Sequence, residues 1–287
     1  MEANHIKAQS GRFLRASSYS EPRPEGAGTA VGRGRLEIEN GTPVLAGFEV
    51  IFRMTNPTSS SRHFGSRLAF GPNNTLYVTI GDRGERDRAQ DRFDHAGSVI
   101  RINRDGVVPA DNPFIGRDGL DEIWSIGHRN PQGAAINPRT GELWTVAHGA
   151  RGGDEINIPR AGKNYGWPVI SYGTHYSGAP IGEGSAASGM EQPVWYWDPS
   201  IAPSGMAFVT GPLFPSWEGD ILVGALKFQL LSKLDVDGNT ITGEQRMFKD
   251  AFGRIRDVRI GPDGGIWLLS DATKGQLVRI TPVGGPC

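Results

Sequence analysis

Three features of the chain predict an all-β protein assembled from repeated small sheets, a β-propeller. Glycine and proline are abundant, 41 and 20 among 287 residues, without a collagen-like period; such an excess signals many tight turns between short strands. A strand–turn–strand unit recurs along the chain. No stretch of ordinary helical length carries an apolar stripe at helical spacing.

The elements follow in order. Met1 to Ser18 scatters Arg, Lys, His and Ser around no apolar core of secretory-signal length, so a disordered lead-in or a non-native start is expected there. Phe48 to Phe52 is the first strand candidate. The first repeat is Phe70-Gly-Pro-Asn-Asn-Thr-Leu-Tyr-Val-Thr-Ile-Gly-Asp82, two apolar runs joined by a Pro/Asn turn. Asn and Gly take positive φ at low cost, and the flanking alternation suits a pleated surface. Further copies run from Ile136 to Val146, with its strand at Glu142 to Ala147, and from Ile260 to Asp271. A looser copy runs from Met206 through Gly219 and Asp220 to Ala225. Ser98 to Asn103, Glu122 to Ile126, Leu230 to Asp235, Ile255 to Val258 and Gln276 to Ile280 supply the remaining strands. The spacing between copies is too long for one hairpin and fits a four-stranded blade with long loops. Asp235-Val-Asp-Gly-Asn239 superficially suggests a calcium loop, but its glycine misses the sixth position an EF-hand requires, so a hairpin turn is expected. Blade-like sequence continues on both sides of the flexible loop Gly182 to Gly189, so residues 19–287 read as one domain.

The 30 basic and 31 acidic residues nearly cancel, so no global charge draws the chain to nucleic acid or an anionic membrane. No apolar run approaches the ~18 residues that span a bilayer. The lone cysteine, Cys287, cannot form an intrachain disulfide and leaves the compartment unread. The chemistry is concentrated in two loops flanking the Glu142 to Ala147 strand. They are His128-Arg-Asn-Pro-Gln-Gly133 and His148-Gly-Ala-Arg-Gly-Gly-Asp-Glu155. Guanidinium, amide, imidazole, open glycine backbone and paired carboxylates suit a multiply charged ligand and a hard cation.

Eight landmarks carry a resemblance. They are His63-Phe-Gly-Ser-Arg67, Ile80-Gly-Asp-Arg-Gly84, Gly127-His-Arg-Asn-Pro-Gln-Gly133, Gly152-Gly-Asp-Glu-Ile-Asn157, Gly162-Lys-Asn-Tyr-Gly-Trp-Pro168, Ser200-Ile-Ala-Pro-Ser-Gly205, Gly224-Ala-Leu-Lys227 and Arg254-Ile-Arg-Asp-Val258. Each is weak alone; in this order they are specific. From about Tyr19 to Pro282 the chain resembles the soluble pyrroloquinoline-quinone (PQQ)-dependent aldose sugar dehydrogenases of the glucose/sorbosone dehydrogenase family. The resemblance implies a six-bladed-type propeller, here lacking about one N-terminal blade. It implies PQQ and Ca2+ as cofactors and oxidation of an aldose at its anomeric CH–OH to the lactone, with hydride passing to the quinone. It further implies a small sugar substrate, an electron acceptor the sequence does not name, a monomer or homodimer, and a periplasmic or secreted setting, although no signal peptide is present in this chain.

Residue by residue, the resemblance makes His63 the general base, since a neutral imidazole titrates near working pH. Asp82 orients its ring, or is simply a Gly-Asp turn residue. Arg129 sits by the quinone oxygen where charge develops, or braces its loop. Asn130, His148, Lys227, Arg254 and Arg256 match the cofactor binders. Arg254 and Arg256 share a strand face, so a common anion explains them better than a solvated surface does. Trp197 and Ser200 align with residues bordering cofactor and sugar, although a propeller tryptophan more often packs between blades. Calcium is expected against the carbonyls of Gly149 and Ala150. Alanine stands where proline is usual, so a weaker site is expected. Glu155 and Tyr165 match a second calcium site, with a loop-capping glutamate as the alternative. Two rival functions stay open: a calcium-dependent lactonase-type hydrolase, and a non-catalytic, truncated binding propeller.

Overall fold

The computed structural model describes residues 2–7 and 13–283, with side chains from Arg15 to Val283. Five antiparallel sheets account for the described strands. The only helical pieces among the described residues are 3-10 turns at Arg86–Gln90 and Pro215–Trp217, and no helix is long and apolar enough to cross a membrane. Two compact units are present. One runs up to Asn130 and includes Ala161–Asn164; the other comprises Pro131–Arg160 and the chain from Tyr165 onward.

The first unit holds two sheets. β1 (Glu2–Lys7), β2 (Phe13–Arg23), β3 (Gly26–Glu39) and β4 (Thr42–Arg53) lie in sequence order. Asn40 and Gly41 both adopt positive φ between the paired Glu39 and Thr42, the geometry a two-residue hairpin needs to match strand twist. β2 pairs with β3 from Leu14 to Arg23 and with β1 across Glu2–Lys7, so strands lie at 2–7 and from Phe13 onward where a lead-in over 1–18 was expected. Met1 and residues 8–12 lie outside the described residues. The second sheet is β5 (Gly65–Phe70), β6 (Thr75–Ile80), β7 (Val99–Asn103) and β8 (Ile123–Ser125). β6 is buried along its whole length, and the core around it includes Phe52, Met54, Leu76, Val78, Ile100 and Ile123.

The second unit holds three sheets. β9 (Pro131–Ile136), β10 (Leu143–Ala147), β11 (Asp154–Asn157) and β12 (Trp195–Trp197) form one. β13 (Pro203–Phe208), β14 (Ile221–Ala225), β15 (Leu231–Asp237) and β16 (Thr240–Met247) form the next. β17 (Ile255–Ile260), β18 (Ile266–Ser270) and β19 (Leu277–Ile280) form a three-stranded last sheet. β10, β13 and β14 are buried throughout, as strands covered on both faces must be. Each sequence repeat falls on a strand–turn–strand pair. In the second copy, Asn137 Oδ1 accepts from the Arg139 and Thr140 amides at 2.8 and 3.3 Å, and in the third, Asp263 Oδ1 accepts from Gly265 N at 3.0 Å. Asp235–Asn239 is the expected hairpin, with Asp237 opposite Thr240.

Glycines let the sheets of this unit close on one another. A Cβ on Gly133 would lie 2.6 Å from Ser204 O. One on Gly205 would collide with Asp257 Oδ1 and approach Val258 N to 2.7 Å. Ser204 Oγ donates across the seam to Ile255 O of β17 at 2.6 Å and, within its own sheet, lies 3.0 Å from Gly224 O. All-β propeller sheets are therefore present, and their number among the described residues is five, where the resemblance implied a six-bladed type lacking about one N-terminal blade.

Two outcomes test these packing statements. Gly205→Ala must push β13 from β17 and is expected to destabilise by about 1–3 kcal/mol. Gly28→Ala, whose Cβ meets nothing nearer than 3.4 Å, should cost less than about 1 kcal/mol; equal melting losses in the two variants would contradict the close approach. His128, buried beside Ser125 Oγ at 2.9 Å, is held neutral by burial, its pKa lowered from 6.5 to about 3. The unfolded chain therefore binds a proton below pH 6.5 that the folded chain refuses. The neutral ring's contribution is complete above pH 6.5 and is lost as pH falls toward 3, at roughly 1.4 kcal/mol per pH unit. Calorimetry near pH 5 should show about one proton fewer taken up on unfolding in His128→Gln than in the native chain.

Candidate active site

In the first unit three loops meet at one end of the β5–β8 sheet. His63 precedes β5, Asp82 follows β6, and Arg129 and Asn130 come shortly after β8. His63 Nδ1 lies 2.6 Å from Asp82 Oδ1. A carboxylate can only accept, so Nδ1 carries the hydrogen and Nε2 is left as the acceptor. Asp82 is 1% exposed; its Oδ1 also accepts from Gly84 N at 2.7 Å, and its own N–H donates to Arg129 O at 2.8 Å. Asn130 Oδ1 accepts from Gly65 N at 3.2 Å. Gly81 is required here, because a Cβ on it would collide with His63 O. The expected trio of His63, Asp82 and Arg129 is thus brought together with Asn130.

The second unit carries the remaining candidates. His148, just past β10, points Nε2 at Pro203 O, 2.5 Å away, so Nε2 bears the hydrogen and Nδ1 accepts. Arg254 and Arg256 flank Ile255 at the start of β17, and both reach Asp271 Oδ2, at 2.7 and 3.1 Å. Arg256 Nη1 also donates to Gln132 Oε1 at 3.1 Å. Burial would raise the Asp271 pKa, but hydrogen bonds and charge from the two arginines lower it on balance. The shared anion predicted for this pair therefore includes Asp271, and two guanidiniums on one carboxylate leave a net positive charge. Lys227, past β14, is exposed, with Nζ 5.4 Å from the Phe228 ring centroid. The two planar, multiply donating guanidiniums and the exposed ammonium of Lys227 fit a rigid polycarboxylate such as PQQ.

Gly149 and Ala150 open a tight turn pinned by a buried carboxylate. Asp154 accepts from Gly149 N at 2.8 Å, Ser200 Oγ at 2.9 Å and Ala202 N at 3.0 Å. Burial raises its pKa against the pull of those donors. Next to it, burial raises Glu155 to about 7, with Asn157 working against the shift and Asp154 adding to it. No group of three or more His, Cys, Asp or Glu side chains stands ready for a metal among the described residues. The oxygens on offer are peptide carbonyls and single carboxylates, a hard set that suits calcium. Tyr165 donates to Ile158 O at 2.5 Å and accepts from Arg160 N at 3.0 Å, so its hydroxyl is engaged within its own loop.

Trp197 and Ser200 make protein contacts of their own. Trp197 is 3% exposed in the core with Trp144, Ile156 and Phe208, and its indole N–H donates to Glu244 of β16 at 3.0 Å. It packs between sheets, the alternative that stood beside the cofactor-wall expectation. Ser200 braces the Asp154 loop and is spent there. Gln132, Asp154 and Asp271 were not singled out individually from sequence. Gln132 and Asp154 lie inside quoted motifs, whereas Asp271 merely ended a repeat.

The chain matches the family described as Glucose / Sorbosone dehydrogenase over residues 13–279. It is 45% identical over 269 residues to the aldose sugar dehydrogenase YliI of Escherichia coli (strain K12), covering 92% of this chain and 72% of that protein. A solved glucose dehydrogenase superposes with a TM-score of 0.91 at 41% identity, over 97% of this chain and 82% of that one. The PQQ-bound aldose sugar dehydrogenase of Streptomyces coelicolor superposes with a TM-score of 0.73 at 26% identity, over 93% and 74%. The likeness spans both units and includes the loops that carry His63, Asp82, Arg129 and Arg256, and the chain belongs to the Glucose / Sorbosone dehydrogenase family.

Proposed function

We propose that this chain is a PQQ-dependent aldose dehydrogenase that oxidises the anomeric CH–OH of a sugar to the lactone. The observation that carries the reading is the hydrogen bond from His63 Nδ1 to the buried Asp82, which leaves an imidazole nitrogen able to take the hydroxyl proton. Asp82 fixes the tautomer and balances the imidazolium that forms. Arg129, the residue whose carbonyl accepts from Asp82 N, offers positive charge to an oxygen on which negative charge develops. Arg254, Arg256 and Lys227 hold carboxylates of the cofactor, while Asn130 and His148 contribute polar contacts. When bound, the quinone supplies the two-electron acceptor. Calcium is assigned to the Gly149 and Ala150 carbonyls, with Glu155 as a further oxygen, because peptide carbonyls and a carboxylate are the ligands a hard cation takes. A periplasmic or secreted setting, an aldose substrate and a separate electron acceptor complete the reading.

Dye reduction by the chain loaded with PQQ and calcium, with glucose as substrate, tests this; turnover only of a lactone, or of nothing, would replace it with the hydrolase or binding readings. His63→Asn is expected to lower kcat by at least about a hundredfold, and Asp82→Asn by a comparable factor through the wrong tautomer. Arg256→Ala should weaken PQQ binding at least about tenfold, read from quinone absorbance, with melting temperature nearly unchanged because that side chain is 39% exposed. Unaltered PQQ affinity would remove the cationic group from the cofactor site.

A further inference from the structure

Next to Asp82 lies a residue the proposed chemistry does not use. Arg83 is 0% exposed. Its guanidinium carbon sits 3.5 Å from the centroid of the Phe64 ring, and Nη2 donates to Ser60 O at 2.6 Å. Nε and Nη1 have no hydrogen-bond partner among the described residues. Its backbone is left-handed, with φ +59°, a conformation unfavourable for a long side chain. Two unfavourable features thus coincide in one residue: a cation taken out of water with no hydrogen-bonded carboxylate, and a strained backbone. Burial works against its charge, with Arg88 adding to that effect and Glu85 and Asp82 opposing it. An apolar side chain of similar volume would fill the space at least as well. Other left-handed non-glycine residues, His63 at φ +49° and Ser66 at +67°, gather in the same cluster of loops, the pattern expected where strain serves a site.

The contacts state what the arginine joins. Ser60 and Phe64 bracket His63 in one loop, and Arg83 follows Asp82 in the other. A planar guanidinium can press its face on Phe64 while an edge N–H reaches the Ser60 carbonyl; an ammonium cannot do both as well. We infer that Arg83 is a positioning residue for the His63–Asp82 pair, holding the loop that presents the imidazole against the loop that presents the carboxylate. This rests on His63 being the base, and the test separates the two claims.

The protein without quinone, labelled with nitrogen-15 at histidine, gives a direct readout: the Nδ1–H signal of His63, identified by its loss in His63→Asn. Arg83→Met is expected to keep the melting temperature within a few degrees and to shift or broaden that signal as the other tautomer becomes populated. In the quinone- and calcium-loaded enzyme the same variant should lose at least about tenfold in kcat with KM changed less than about threefold. Arg83→Lys, which keeps the charge, should fall between the two. An unchanged His63 signal and unchanged kcat in folded Arg83→Met would overturn the inference, as would failure of both variants to fold, which makes Arg83 a folding residue only. Should His63→Asn keep its turnover, the base assignment fails while the spectral effect of Arg83→Met still decides whether Arg83 orients the ring.

Discussion

A carboxylate removed from water must be surrounded by donors, and in this chain that requirement organises the loops. Asp82 accepts from His63 and Gly84 N, and its own amide fastens the Arg129 loop. Asp94 gathers Ala96 N, Arg88 and Asn56 in the same unit. Asp154 does the equivalent in the second unit for Gly149, Ser200 and Ala202. Asp82 and Asp154 sit at or just beyond a strand end, where the sheet's own hydrogen-bond ladder stops, and Asp94 lies in the loop between the Arg86–Gln90 turn and β7; in all three places loop amides need acceptors. Losing any one would leave several buried donors unsatisfied at once, at about 1–3 kcal/mol each, so loop shape and site geometry depend on the same few oxygens.

Cations are handled in three different ways. Arg254 and Arg256 stay partly exposed and share Asp271, so their charge is available to a ligand with little desolvation. Arg83 is buried against Phe64 and a peptide carbonyl, where it can bind nothing from solvent and acts only on its own loops. The distinction follows from solvation: an exposed guanidinium can exchange partners, and a buried one keeps those it folded with. Lys233 is a third, structural case, held between Asp220 and Asp235.

Much of the fold was legible because turn chemistry and alternation are local. The Pro/Asn turn after Phe70, the Asn137 turn and the Asp263 turn all lie where their sequences place them, and Asp235–Asn239 is a hairpin as read. In the N-terminal sheet only Phe48 to Phe52 was legible as a strand; Met1 to Ser18 reads as a lead-in, and the strong hairpin signal Asn40-Gly41 was passed over between strands that local pattern does not mark. β9, β11, β12 and β16 were also passed over, being short, glycine-bearing or largely polar. The His63 and Asp82 motifs were legible as chemistry, but their contact spans the long Phe64–Gly81 hairpin, which local pattern does not reveal.

By itself, then, the amino-acid order determined the all-β class, the repeated turns, the lack of a helix of ordinary length among the described residues and the residue types able to serve a polyanion and a hard cation. These depend on backbone preference and side-chain chemistry, which act within a few residues. Only the tertiary structure decided that Trp197 is core, that Ser200 serves Asp154, that Asp271 joins Arg254 and Arg256, and that Arg83 is buried behind the histidine. Burial and pairing depend on neighbours distant in sequence, and a side chain's role changes with what its partners leave exposed.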